Sequence, residues 1–200
     1  MQMVATRVRR RQLKERMGRP IRIDRPEPRD GATMWRIARS CGLDPNSPYK
    51  YLLFCRDFPA TSAIARVDGL AAGFVTGYVR PGDGALFIWQ IGVLDEYRHQ
   101  GLGLEMLREI WQRLPLSVTH LEASVTPSNE GSRRLFVSLA RDARTSCTES
   151  LLFAEELFPE PHEPEILLRI GPRRPVAIDD MPAGQFSMHN VYDPRKAGRA

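Results

Sequence analysis

Residues 89–104 hold the most informative pattern of the chain, which reads Trp89-Gln90-Ile91-Gly92-Val93-Leu94-Asp95-Glu96-Tyr97-Arg98-His99-Gln100-Gly101-Leu102-Gly103-Leu104. Its first part is apolar enough for a buried strand, and its last part begins a run of apolar residues at helical spacing. Between them, Gly101 and Gly103 let the backbone approach a ligand closely because they carry no Cβ. The first N–H groups of a helix have no partner inside it, and the peptide dipoles add positive charge there. The segment therefore predicts a diphosphate cradle at a strand-to-helix junction.

Two common nucleotide-binding motifs do not fit this segment. No Gly-Lys-Ser/Thr follows it, so it is not a P-loop, and its glycines do not have the Gly-x-Gly-x-x-Gly spacing. Structural glycines at a tight turn would give the same local pattern, and this alternative stays open.

The patterns on either side predict an α+β fold. Strands are predicted at Ile21–Ile23, Ser62–Val67, Ala72–Val79, Leu86–Val93, Leu121–Val125, Thr145–Phe153 and Ile166–Ile170. Helices are predicted at 31–40, 49–54, 101–113 and 129–140. Asp68-Gly69 is typical of a hairpin turn. Three antiparallel strands followed by alternating helices and strands indicate one mixed sheet.

The formal net charge of +5 belongs to the ends of the chain. Residues 1–19 carry a net charge of +6 and residues 181–200 carry +2, which leaves −3 for residues 20–180. We expect residues 1–19 to be a disordered basic extension and residues 173–200 to be a disordered tail. The folded domain is then predicted at 20–172. The mildly negative net charge of residues 20–180 favours a cationic substrate over an anionic polymer such as nucleic acid.

Composition excludes further classes of protein. The chain is 42% hydrophobic, enough for one core, but it lacks the run of about eighteen apolar residues that a membrane span needs. The N-terminus has no apolar stretch of the secretory kind, so we expect a cytoplasmic protein with no membrane partner. Cys41, Cys55 and Cys147 fit neither a disulfide framework nor a zinc site, and we expect no metal.

Two segments in register resemble the GNAT family of acetyltransferases. Arg98-x-x-Gly101-x-Gly103 resembles the family's acetyl-CoA signature, and Asn129-x-x-Ser132-x-x-Leu135-Phe136 is similar to its second cofactor segment. The resemblance implies acetyl-CoA as co-substrate and a mostly antiparallel sheet that splays between its fourth and fifth strands. It also implies a set of cofactor-binding residues: Ile91 and Val93 for the pantetheine arm, Arg98, His99, Gln100, Gly101, Leu102, Gly103 and Leu104 for the phosphates, and Asn129 and Ser132 for either.

One position departs from the family pattern. Many relatives have a tyrosine where this chain has Phe136, and that tyrosine protonates the leaving thiolate. Phenylalanine has no proton to give, so we interpret Phe136 as a core residue. Tyr97 or solvent then remains to protonate the thiolate.

Further segments resemble the diaminobutyrate acetyltransferases, the acetylating enzymes of ectoine synthesis. They are Asp30-Gly31-Ala32, Leu43-Asp44-Pro45-Asn46-Ser47-Pro48-Tyr49, Phe87-Ile88-Trp89-Gln90-Ile91-Gly92-Val93, Thr126-Pro127-Ser128-Asn129, and Leu157-Phe158-Pro159 with His162-Glu163. This resemblance implies transfer of acetyl to the 4-amino group of L-2,4-diaminobutyrate, and it implies a homodimer.

A diamine acceptor requires acidic or basic groups, because a protonated amine cannot attack a thioester. We expect Asp44 to contact an amine and Trp89 to stack on an ammonium; the alternatives are a local turn bond for Asp44 and a core role for Trp89. His162 and Glu163 are the catalytic candidates, with solvated surface residues as the alternative, and Glu149 and Glu155 are weaker ones. We expect direct attack without a covalent acetyl-cysteine, because no cysteine lies beside the cofactor segments.

Two other functions remain open from the sequence. The chain could be a GNAT enzyme for another amine, such as a polyamine, an amino acid or a protein N-terminus. It could also be a non-catalytic acyl-CoA-binding regulator whose basic extension binds nucleic acid.

Overall fold

The computed structural model describes residues 18–173. Within this range the chain forms four α-helices, which are α1 (Gly31–Ser40), α2 (Pro48–Asp57), α3 (Leu102–Arg113) and α4 (Glu130–Asp142). Its seven strands are β1 (Ile21–Asp24), β2 (Ala63–Val67), β3 (Leu70–Val79), β4 (Leu86–Val93), β5 (Leu121–Val125), β6 (Ser146–Phe153) and β7 (Glu165–Gly171). The predicted helices and strands are thus present, with ends shifted by a few residues. The predictions for 1–17 and 174–200 lie outside the described residues.

The seven strands form one sheet in the order β1-β2-β3-β4-β5-β7-β6. Neighbouring strands are antiparallel except β4 and β5, which are parallel. The predicted mixed, mostly antiparallel sheet is therefore confirmed. The β2–β3 turn has positive φ at both Asp68 (52°) and Gly69 (82°), which is the backbone that the Asp-Gly pair predicts for a two-residue hairpin.

Helices cover both faces of the sheet. One face packs against α3 and α4 through Leu102, Met106, Leu107, Ile110, Phe136 and Leu139. The other face packs against α1 and α2 through Met34, Ile37, Tyr51 and Cys55, which meet Ile64 and Phe74 of the sheet. The apolar residues of α3 recur every three or four positions, so one side of the helix is buried and the other is solvated.

Strand β4 carries a β-bulge at Trp89. Ile88 pairs with Gly77 of β3 and Gln90 pairs with Thr76, so Trp89 is the extra residue. Side chains of a regular strand alternate between the two faces, and the bulge breaks this alternation. Trp89 and Gln90 therefore both face α2, although they are neighbours in sequence.

The sheet opens between β4 and β5. Their parallel pairing covers Leu86↔Leu121, Phe87↔Glu122 and Ile88↔Ala123, and it ends there. The part of β4 beyond the bulge has β3 on one side and no paired strand on the other. This opening is the splay that the resemblance implied.

Candidate active site

The turn before α3 leaves the start of that helix open to a ligand. Gly101 is the N-cap residue, with a left-handed φ of 87°, and no side chain caps the helix. In contrast, Ser47 Oγ accepts a hydrogen bond from Tyr49 N at the start of α2. The first amides of α3, those of Leu102 to Leu104, thus remain as donors at the positive end of the helix dipole. This geometry suits a diphosphate.

Side chains of this turn form hydrogen bonds to the backbone of the same turn. Arg98 Nε donates to the Val93 carbonyl at 3.0 Å, and Arg98 also pairs with Asp95 at 2.9 Å. Gln100 Nε2 donates to the Glu96 carbonyl at 2.9 Å. His99 has a φ of 59° and is exposed. The structure thus gathers the predicted phosphate-binding residues into one turn, where Arg98 and Gln100 hold its shape.

The leucines of the signature contribute backbone rather than side chains. Leu102 is 1% exposed in the core, and Leu104 packs against it. Gly103 faces β4 and α4, where an added Cβ would lie in ordinary contact with Ile91 Cδ1 at 3.4 Å and Leu135 Cδ2 at 3.6 Å. The cradle is therefore made of N–H groups.

The open edge of β4 presents the groups of Ile91 and Val93. Leu94 N donates to Ala72 O, and Gly92 pairs with Phe74. In an antiparallel pair, alternate residues bond the neighbouring strand, so the polar groups of Ile91 and Val93 point into the opening. This is the orientation that pairing with a pantetheine arm requires. In this structure the Val93 carbonyl accepts from Arg98 Nε at 3.0 Å.

A cysteine lies beside this edge, contrary to the expectation from sequence. Cys41 Sγ donates to the Val93 carbonyl at 3.3 Å. Cys41 follows α1 directly and is far from β4 in sequence. The expectation that no cysteine adjoins the cofactor segments was therefore wrong in space, although it holds along the chain.

Asn129 and Ser132 begin α4. Asn129 Oδ1 accepts from Ser132 N at 3.1 Å, which caps the helix. The cap leaves the side-chain Nδ2 of Asn129 and the hydroxyl of Ser132 for a ligand. Phe136 is 2% exposed in the core, which agrees with our interpretation of it. Tyr97, the suggested replacement acid, is also buried, at 7% exposed.

A second group of side chains faces α2 on the other side of β4. Asp44 Oδ1 accepts from Asn46 N at 3.1 Å, so the local turn bond that we considered for Asp44 is present. Trp89 is 47% exposed, which rules out the core alternative for it. Its ring lies 6.5 Å from that of Phe54 and 5.1 Å from the ammonium of Lys50. Trp89 thus contacts a cation of the protein itself.

Gln90 connects this group, and the sequence did not single it out. Its Nε2 donates to the Asp44 carbonyl at 2.7 Å. Its Oε1 accepts from Tyr51 Oη at 2.8 Å and from Lys50 Nζ at 2.9 Å. Burial lowers the pKa of Lys50 to about 8, despite the attraction of Asp44. Burial, with a smaller effect of Asp44, raises the pKa of Tyr51 to about 12.

Lys50 and Tyr51 were also missed from the sequence. The one available indication was the helical spacing of Lys50 and Phe54, which places them on the same side of α2. We name the group Asp44, Lys50, Tyr51, Trp89 and Gln90 the acceptor cluster.

His162 and Glu163 precede β7, at the edge where β5 ends. Glu163 accepts from Ser128 N at 3.1 Å and from Ser128 Oγ, so both carboxylate oxygens are engaged. His162 Nδ1 contacts the Glu163 carbonyl, which can only accept, so Nδ1 carries the proton. In the neutral ring Nε2 is then unprotonated, and it lies 3.9 Å from Glu165. Both residues are exposed, as the surface alternative expected, yet both are held in place.

The weaker acid candidates are less suitable. Glu149 is held by Arg133 through both carboxylate oxygens, at 2.8 and 3.0 Å from Nη2. Glu155 lies in an exposed 3-10 turn. Residues 18–173 contain no group of three or more His, Cys, Asp or Glu residues placed to hold a metal ion. None of the helices in that range combines the length and apolar character needed to cross a membrane.

Known proteins are similar to this chain in sequence and in fold. Residues 31–140 match the acetyltransferase (GNAT) family. The L-2,4-diaminobutyric acid acetyltransferase of Streptomyces avermitilis is 46% identical over 158 residues, covering 76% of this chain and 88% of that protein. The enzyme of the same name from Halalkalibacterium halodurans is 42% identical over 158 residues, covering 78% of this chain and 84% of that protein.

Solved structures of acetyltransferases have the same fold. The diaminobutyrate acetyltransferase of Paenibacillus lautus, in complex with L-2,4-diaminobutyric acid and coenzyme A, has a TM-score of 0.74 and 35% identity, covering 79% of this chain and 98% of that one. The ribosomal-protein-S18-alanine N-acetyltransferase of Escherichia coli shares the fold, with a TM-score of 0.60 and 20% identity, covering 80% of this chain and 98% of that one. With a family match over more than half its length and these close relatives, the chain belongs to the acetyltransferase (GNAT) family.

Proposed function

We propose that the protein transfers the acetyl group of acetyl-CoA to the 4-amino group of L-2,4-diaminobutyrate. The products are N4-acetyl-L-2,4-diaminobutyrate and coenzyme A. The relatives that are 39–46% identical and carry the diaminobutyrate name support this acceptor, as does the Paenibacillus lautus enzyme with that amino acid bound.

The observation that carries the proposal is the position of β4 between two sites. Beyond the bulge, the groups of Ile91 and Val93 face the opening and lie close to the uncapped start of α3. Trp89 and Gln90 face the acceptor cluster across the same strand. A thioester bound in the opening between β4 and β5 and an amine bound at the acceptor cluster would thus both lie beside residues 89–93 of β4.

Each part of this site has a defined task in the proposed reaction. The amides at the start of α3 bind the diphosphate, and acetyl-CoA, when bound, supplies the thioester as the activated acyl group. The N–H of Val93 points into the opening, where it can stabilise negative charge on the thioester oxygen. Asp44 binds an ammonium of the acceptor.

The acceptor amine must lose a proton before it can attack. We propose that His162 Nε2 takes this proton, because Nδ1 is committed to the Glu163 carbonyl. Glu165 lies 3.9 Å from Nε2 and would stabilise the imidazolium that forms. Glu163 holds this segment against the start of α4 through Ser128.

An acceptor screen tests the proposal. The purified protein is supplied with acetyl-CoA and, separately, with L-2,4-diaminobutyrate, ornithine, lysine or spermidine, and thiol release is followed. We expect saturable turnover with diaminobutyrate and acetylation of N4 rather than N2 by NMR. Turnover confined to another acceptor, or binding of acetyl-CoA without turnover, would contradict the proposal.

We propose further that the protein acts as a homodimer in the cytoplasm and that its product supplies ectoine synthesis. Strand β6 is an edge strand with two large exposed apolar side chains, Leu151 (62%) and Phe153 (47%), and such a surface is suited to a second copy. Sedimentation at micromolar concentration should give the mass of two chains. Cells without the protein should fail to accumulate ectoine at high salt.

A further inference from the structure

The ammonium of Lys50 is held at a defined position in the acceptor cluster. Its Nζ lies 4.8 Å from the ring centre of Tyr51, 5.7 Å from that of Phe54 and 5.1 Å from that of Trp89. It also donates to Gln90 Oε1 at 2.9 Å. Three aromatic rings and one amide thus restrict a side chain that is ordinarily mobile.

The charge of Lys50 is poorly compensated. In the described part of the chain, Lys50 forms no ion pair with a carboxylate, and Asp44 acts on it only over a longer distance. Gln90 is neutral and engages one of the three ammonium protons. Half-burial lowers the pKa of Lys50 to about 8, so the cation lacks solvation that an anionic ligand would replace.

Asp44 and Lys50 present opposite charges from adjoining elements. Asp44 lies in the loop before α2, and Lys50 lies in the first turn of that helix. Gln90 contacts both, through Nε2 to the Asp44 carbonyl and through Oε1 to Lys50. The α-carbon of an amino acid carries an ammonium and a carboxylate, and this pair of side chains has the complementary charges.

We propose that Lys50 binds the α-carboxylate of the acceptor and thereby selects an α-amino acid over a simple diamine. The inference rests on the proposed function and adds to it the residue that recognises the carboxylate. With Asp44 at the α-ammonium and Lys50 at the carboxylate, the 4-amino group remains free to extend toward the opening beside β4.

A pair of acceptors isolates the carboxylate. L-2,4-Diaminobutyrate and 1,3-diaminopropane have the same spacing between their amines, but only the first has a carboxylate. The Lys50→Met variant keeps most of the apolar contact with the rings and removes the charge. Arg56→Met is the matched control, because Arg56 is an exposed cation of the same helix that pairs with Asp57 instead.

We expect Lys50→Met to lower kcat/KM for diaminobutyrate by about 10- to 100-fold, as for the loss of one charged hydrogen bond. The value for 1,3-diaminopropane should stay within about threefold, and Arg56→Met should alter neither. Where turnover of 1,3-diaminopropane is too slow to follow, its inhibition constant against diaminobutyrate replaces it. L-2-Aminobutyrate, which has the carboxylate and no 4-amino group, should inhibit the wild type and lose that inhibition in Lys50→Met.

Equal losses for both acceptors, or no loss for either, would overturn the role of Lys50 and leave the acetyltransferase activity standing. A wild-type protein that acetylates 1,3-diaminopropane and not diaminobutyrate would instead refute the proposed function. Should Lys50→Met unfold below the assay temperature, Lys50→Gln provides the same comparison with a polar, uncharged side chain.

Discussion

The side-chain amide of Gln90 holds the main-chain carbonyl of Asp44 at 2.7 Å, across 46 residues of sequence. The other end of the same amide accepts from Tyr51 Oη at 2.8 Å. One side chain of β4 thus fixes the loop before α2 and the buried face of α2 together. The position of the Asp44 carboxylate depends on a residue of the strand that borders the cofactor opening.

Replacing Gln90 should therefore affect the acceptor more than the cofactor. Gln90→Leu leaves the Tyr51 hydroxyl buried without its partner, which costs about 1–3 kcal/mol of unfolding free energy. The freed loop should raise the KM for the acceptor by about tenfold and leave the KM for acetyl-CoA unchanged. Tyr51→Phe is the matched variant, because it keeps the bond from Gln90 to Asp44. Equal KM increases for both substrates would argue against this arrangement.

The charge of Asp44 can be separated from its role in the loop. Asp44→Asn keeps a side-chain oxygen for the bond with Asn46 N and removes the negative charge, whereas Asp44→Ala removes both. We expect Asp44→Asn to raise the acceptor KM by roughly 10- to 100-fold, the effect of losing one charged contact. The melting temperature should fall only in Asp44→Ala. If Asp44→Asn kept the wild-type KM, Asp44 would be a loop residue alone.

Gly101 and Gly69 allow a controlled test of the diphosphate cradle. Both have left-handed backbones, with φ of 87° and 82°, so an alanine costs about 1–2 kcal/mol at either position. Only Gly101 is a helix N-cap, that of α3, and Gly69 lies in the β2–β3 hairpin with nothing within 4 Å of an added Cβ. We expect Gly101→Ala to weaken acetyl-CoA binding by about tenfold or more by calorimetry. Equal affinities of the two variants would show that the turn does not bind the diphosphate.

The lowered pKa of Lys50 predicts how stability changes with pH. Lys50 is charged in both states below about pH 8, and above it the folded protein holds the neutral amine while the unfolded chain stays charged up to 10.5. The unfolded state then binds more protons, so stability rises with pH in this window. Urea unfolding at about pH 7 and about pH 9.5 should show the wild type gaining stability relative to Lys50→Met. A difference that does not change with pH would mean that Lys50 is not desolvated.

His162 and Glu163 should give different kinetic results. His162→Gln removes the proposed base and should lower kcat by at least about 100-fold. Glu163→Gln keeps an oxygen for the Ser128 amide and should lower kcat far less. Ser128→Ala is the control for the anchoring bond. A larger loss in Glu163→Gln than in His162→Gln would exchange the two roles.

Much of the fold follows from local patterns that the sequence displays directly. The Asp68-Gly69 turn, the starts of α2 and α3 and the amphipathic spacing of α3 depend on neighbouring residues, so they could be predicted. The cradle at Gly101 was predicted for the same reason. The bond from Gln90 to Asp44 and the contact of Cys41 with Val93 join distant segments, and no local pattern indicates them. The bulge at Trp89 was missed because a bulge changes pairing without changing composition.

That bulge also has a consequence for related strands that lack it. Before Trp89 the even-numbered residues of β4 direct their peptide groups toward β5, as Leu86 N does by donating to the His120 carbonyl at 2.9 Å, and after it the odd-numbered residues do so. Deleting the extra residue, Trp89, would leave a regular strand in which the peptide groups of Ile91 and Val93 still face the opening. Such a strand would keep its cofactor edge and lose the aromatic ring that contacts Lys50, so one inserted residue adds a side chain to the acceptor cluster without changing the direction of the peptide groups beyond it.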